Sequence, residues 1–146
     1  MLWQPSHCRT MLNCASACVQ DGGESALLLA SRNGHVHVVR TLLEVGASMF
    51  DRAIFQGLSP LVHATSKGHG TVVKVLLEFG ARTESVNKNG WTPLQIASSN
   101  GDFTSARHLI GARADIKSSD PKDRQTPLHR SAQAGHSRLV SLLLEN

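Results

Sequence analysis

"NGWTPLQIASSNGD", residues 89–102, sets a turn, a proline and a short run of small residues side by side. The phrase returns in altered words as "QGLSPLVHATSKGHG" at 56–70 and "DRQTPLHRSAQAGHS" at 123–137. Aligning the tripeptides Ser25-Ala26-Leu27, Ser59-Pro60-Leu61, Thr92-Pro93-Leu94 and Thr126-Pro127-Leu128 gives steps of 34, 33 and 34. Gly34, Gly68, Gly101 and Gly135 keep the same steps, and so do the pairs Leu42-Leu43, Leu76-Leu77, Leu109-Ile110 and Leu143-Leu144. Features that share one register define a repeating unit, and a period of this length signals supersecondary units stacked side by side.

Residue chemistry gives each unit an internal plan of helix, turn, helix and finger. Ser59 or Thr92 can cap the free N–H groups of a first helix, and the proline after it suits the first helical position, where no N–H is needed. Gly68 and its equivalents can take the left-handed conformation that ends that helix. The second helix of unit two carries Val72, Val73, Leu76 and Leu77 as an apolar stripe and closes at Gly80. About ten residues then lead to the next turn, room for a tight hairpin-like finger. One helix pair cannot bury its own apolar face, so neighbouring units must stack.

Composition narrows the class of function. The 146 residues are 40% hydrophobic, enough for the core of one domain. The formal charge of +4 comes from residues scattered without a run, so charge alone does not point to nucleic acid. The longest apolar run, Ala26 to Ala30, is too short to span a membrane, and polar residues from Gln4 to Thr10 break up any signal-peptide core. Three cysteines, Cys8, Cys14 and Cys18, make no disulfide framework, so a reducing cytoplasmic or nuclear compartment is expected.

Thr-Pro-Leu-His at 126–129, Gly-His at 34, 68 and 135, and Leu-Leu followed by Gly-Ala at 46 and 80 make the chain resemble the ankyrin repeats. The resemblance covers residues 21–146 as four units, the last truncated, and implies an all-α ankyrin-type solenoid with short hairpin-like fingers. Four departures stand out. Arg113 stands at a glycine position after a second helix, Arg124 replaces the turn glycine, Asp102 replaces the histidine, and unit four stops before its Gly-Ala. Residues 1–20 read as an N-terminal cap. They form either a degenerate unit, whose second helix lies in Pro5 to Cys14, or one longer capping helix with Cys8, Met11, Leu12, Ala15, Cys18 and Val19 buried.

Catalysis, metal and cofactor binding are not expected. His7, Cys8, Cys14 and Cys18 match no zinc spacing and read as structural. His35, His69 and His136 share one repeat position, so stacking holds neighbours roughly 8–10 Å apart. That is too far to share an ion bound at about 2 Å, and they read as hydrogen-bonding the turn. His37, His63 and His108 suggest no ligand set. No Gly-x-Ser-x-Gly elbow is present, and Gly22-Gly23 and Gly68-His69-Gly70 lack the Lys-Ser/Thr of a phosphate loop. Asp51, Asp115, Asp120 and Asp123 read as turn formers.

What remains is a surface. In the family that the chain resembles, fingers and first helices line a concave face where protein partners bind. The resemblance carries the variable positions over to Glu24, Leu58, Trp91 and Gln125 before the capping residues. It does the same for Arg32-Asn33, Ser66-Lys67, Ser99-Asn100 and Gln133-Ala134 before the glycines. The row is chemically mixed, unlike a phosphate-tracking stripe, so the expected function is a scaffold, adaptor or inhibitor that binds a protein. The alternative is a basic nucleic-acid-associated domain. Trp91 and Leu58 read as apolar anchors, or Trp91 packs on the next finger. As an anchor, Trp91 should weaken binding by about 2 kcal/mol when truncated and leave stability unchanged. Phe50 and Ile54 of the first finger are further candidates, and Asn87 resembles substrates of asparaginyl hydroxylation. With no polar cap over Leu139, Leu142 and Leu143, the last helix is expected to fray or self-associate, as in a fragment of a longer array.

Overall fold

In the computed structural model, residues 25–49 and 59–146 are described, and they form four helix pairs. Unit one holds α1 (Ala26–Arg32) and α2 (Val36–Glu44), and unit two α3 (Pro60–Ser66) and α4 (Gly70–Glu78). Unit three holds α5 (Pro93–Asn100) and α6 (Phe103–Gly111), and unit four α7 (Pro127–Gln133) and α8 (Ser137–Leu144). Each first helix packs on its own second helix and on the first helix of the next unit, and the second helices make their own row. The chain is an all-α solenoid of ankyrin type, two helices deep.

The caps are where the repeat puts them. Ser25, Ser59, Thr92 and Thr126 each accept a backbone N–H of their first turn, from Leu28, Val62, Gln95 and His129. Each such bond contributes about 1 kcal/mol to a helix too short to persist alone. Pro60, Pro93 and Pro127 occupy the first turn. The core forms at the unit boundaries from Leu27, Leu61 and Leu94 of the first helices and Val39, Val72, Val73, Leu76 and Leu109 of the second, all essentially inaccessible. Burial of each leucine is worth about 1.5–3 kcal/mol.

At two of the turn glycines, Gly34 and Gly101, a histidine ring adds a second demand for glycine. Gly34 and Gly101 have φ of 77° and 76°, and a Cβ at either would lie 2.8 or 2.6 Å from the ring of His69 or His136 in the next unit. These positions therefore need glycine twice over, for conformation and for the close approach of a neighbour.

In the chain's last helix, Leu139, Leu142 and Leu143 are better covered than the absence of a following unit suggests. α8 runs to Leu144, and Leu139 and Leu143 are buried in the common core, because their face turns back toward α6 and α7. Leu142 is half-buried, and the large exposed apolar side chain of this helix is Leu144, at 69%. The N-terminal cap at 1–20 lies outside the described residues.

Arg113 and Arg124 are the non-glycine residues of positive φ among the described residues, at 63° and 55°. Gly46 and Gly80, at the positions equivalent to Arg113, have φ of 85° and 86°. A Cβ in this conformation costs on the order of 1 kcal/mol. Arg113→Gly should therefore raise stability by about that amount in thermal or urea unfolding. A midpoint that stays put or falls would show that the strain is absorbed elsewhere.

Candidate functional site

The row of positions before the turn glycines is held together by one recurring bond. The helix-terminal carbonyl of Arg32 accepts the His69 Nε2–H at 3.0 Å, and that of Ser99 accepts His136 Nε2–H at 3.3 Å. These histidines are structural, as their shared position suggests. Between them Asp102 replaces the histidine and turns inward to cap α6, accepting the Ser105 N–H at 3.0 Å and the Ser105 hydroxyl. The equivalent carbonyl, Ser66, is then reached by Asn100 Nδ2–H at 3.4 Å. Each unit thus bonds the first-helix end of the unit before it, and the row is continuous in space.

Along that row Asn33, Ser66, Lys67, Asn100, Gln133 and Ala134 are exposed, and Arg32, Ser99 and Gln125 half-buried. Asn100 spends one N–H on Ser66, and the Gln125 carbonyl accepts bonds within the structure, so the Gln125 side chain alone is presented. Glu24, Phe50, Ile54 and Leu58 lie outside the described residues.

Trp91 is held by its surroundings. Its finger turns on Asn87, whose Oδ1 accepts the N–H groups of Asn89 and Trp91 at 2.9 and 3.0 Å. The half-buried ring carries the Arg130 guanidinium of the next unit 3.5 Å over its centroid. Arg130 in turn meets Asp120 of the third finger through Nη2, and both side chains are buried. Burial would push the Asp120 carboxyl up. It is held below the usual carboxylate range instead, by the Asp123 N–H at 2.7 Å and then by Arg130. Sequence reasoning passed over Arg130. Its signal was a charge in a position that Leu29 and Ile96 fill in other units.

Gln95 was missed in the same way. It is fully buried where Leu28 and Val62 stand in units one and two. Its Oε1 accepts the Thr92 N–H, completing a capping box, and its Nε2 donates to the carbonyls of Ser118 at 3.0 Å and Gln125 at 3.1 Å. One amide side chain thereby ties the third finger to the first helix behind it. Among the described residues no group of three or more His, Cys, Asp or Glu could hold a metal ion, and no helix is long and apolar enough to cross a membrane.

Two outcomes follow from the Trp91–Arg130–Asp120 stack. Trp91→Ala should lower the melting midpoint, at a cost of about 1 kcal/mol of stability for a cation–π contact on a half-buried ring, which revises the expectation of unchanged stability. An unaltered midpoint would remove the stack as a stabilising element. Asp120→Asn leaves Arg130 buried without its counter-charge and should lower stability at neutral pH. Because the folded-state pKa of Asp120 is depressed, its contribution is present above about pH 4 and lost as pH falls through the folded value. The stability gap between wild type and Asp120→Asn should narrow in acid. A constant gap across the acid range would contradict the assignment.

Comparison with known proteins agrees with this architecture. The pattern of ankyrin repeats matches residues 50–120, and that of the single ankyrin repeat matches 22–53 and 123–146. The chain is similar to an E3 ubiquitin-protein ligase, KEG, of Arabidopsis thaliana, with 32% identity over 126 residues. The aligned region takes in 85% of this chain and only 8% of the ligase. With nearly every residue from 22 onward inside the repeat pattern and four capped helix pairs stacked in one register, the chain belongs to the ankyrin-repeat family.

Proposed function

We propose that this chain is a non-catalytic scaffold, adaptor or inhibitor that holds a protein partner against the face formed by its first-helix ends and fingers. Ankyrin repeats are protein-interaction modules, and the finer reading rests on one observation. Asn33, Lys67, Asn100 and Gln133 are exposed on four successive units, in which a side chain of each later unit bonds the first-helix carbonyl of the unit before it. Such a row offers hydrogen-bonding groups from a backbone already ordered before binding, which favours affinity. Its chemistry suits a protein better than a phosphate backbone, because Arg32 and Lys67 are its basic members. The reducing compartment implied by three cysteines makes the cytoplasm or nucleus the expected place of action.

A photo-crosslinking residue placed at Lys67, Asn100 or Gln133 tests this reading. It should capture one protein species, while the same residue at His37 or Ser141, on second helices, captures far less. For a partner identified in this way, Lys67→Ala combined with Gln133→Ala should weaken binding about tenfold, or 1.4 kcal/mol. Binding should change little between low and moderate salt. Equal capture from both faces would displace the proposed surface, and a steep loss of affinity with log[salt] would point to the nucleic-acid alternative.

A further inference from the structure

The second helices carry a charge pattern that breaks at one residue. Arg40, Lys74 and Arg107 share one position, and Glu44, Glu78 and Glu145 share the position four residues on. In unit three that acidic position is Gly111. What the acid does is visible one unit earlier. Glu78 receives Lys74 Nζ from its own unit at 3.8 Å and Arg40 Nη2 from the preceding unit at 3.3 Å. The carboxylate at this position therefore bridges two neighbouring units.

At Gly111 the same bridge lacks its centre. The basic residues that would flank it are Arg107 of its own unit and Lys74 of the preceding one, and among the described residues Arg107 makes no ion pair. A Cβ built at Gly111 meets nothing within 4 Å. The space is an open depression of about 320 Å³ lined by Lys74, Leu77, Glu78, Arg107, His108, Gly111 and Ala112. Leu77 and His108 are half-buried, and Arg107 and Lys74 stand exposed at its edge. Two cations, Lys74 and Arg107, and one anion, Glu78, line the depression, so its lining keeps positive charge in excess. His108 is held below its ordinary pKa by burial and then by Arg107 and Lys74, with Asp102 and Glu78 opposing.

We propose that the depression over Gly111 binds an acidic side chain, Asp or Glu, of a protein partner. Its carboxylate takes the place between Lys74 and Arg107 that Glu78 fills between Arg40 and Lys74. The half-buried Leu77 offers apolar surface to the methylene of such a side chain, which a free inorganic anion lacks. A polyanion that tracks along the helices would meet Glu44 and Glu78 beside the site, so an isolated carboxylate suits it better than a nucleic-acid backbone. The site lies on the second helices and stands independently of the row on the first-helix ends.

The test is an NMR titration of the full chain with an acetylated hexaglutamate peptide, and in parallel with inorganic phosphate and a short DNA duplex. Saturable shifts centred on Lys74, Arg107, His108 and Gly111 are expected with the peptide, together with a rise in the His108 titration midpoint as the carboxylate docks. Gly111→Glu supplies the missing carboxylate from within the chain. It should weaken peptide binding about fivefold, the scale of an exposed ion-pair site, without lowering the melting midpoint. Arg107→Gln should weaken binding similarly and serves if Gly111→Glu misfolds. Undiminished binding to both variants, shifts centred elsewhere, or phosphate or duplex saturating these residues below the peptide's concentration would each overturn the proposal.

Discussion

A first helix of seven or eight residues ends in carbonyls that it cannot bond itself, and in this chain the next unit supplies the missing donor. Arg32 and Ser99 are served by histidine rings and Ser66 by an asparagine amide. Much else follows from that dependence. The donors must come close, so Gly34 and Gly101 can carry no side chain. The helices are too short to stand alone, so their caps and their buried leucines matter only when the units are stacked.

The unit boundaries are nevertheless unequal. Between units one and two the structure relies on His69, the apolar core and the surface pair Arg40–Glu78. Between units two and three the histidine bond gives way to a longer amide bond from Asn100. Between units three and four, polar contacts accumulate: His136 on Ser99, Arg130 on Trp91 and Asp120, and Arg138 over Phe103 at 4.7 Å. The buried guanidinium still has an Nε without a hydrogen-bond partner, so this boundary carries a desolvation cost that its contacts offset only in part.

The repeat, its caps and the left-handed positions could be read from residue identity, because each is a local property that recurs in register. Arg113 shows how far that goes: its positive φ follows from Gly46 and Gly80 standing at the same place. The course of Trp91 could not be read that way, since its neighbour lies 39 positions along, at Arg130. Contacts between a finger and the next first helix depend on three-dimensional register. They surface in the sequence only as misfits, a glutamine where two sister units hold Leu28 and Val62, or an arginine where two hold Leu29 and Ile96. The row of exposed residues was legible as a row, whereas the burial of one ring face against a neighbour was not.

Gln95 gives the third finger a distinct mechanical character. Three of its hydrogen bonds end on backbone, one at its own cap and two at Ser118 and Gln125 on either side of the finger's second half. Leu28 and Val62, at the same place in units one and two, have no such groups to offer. The segment from 118 to 125 is therefore fastened at both ends to a rigid helix, and moving it as a body would break two buried bonds at once. A surface built from such a finger is closer to a mould than to a hand: it selects partners already of the right shape and has little capacity to close around others.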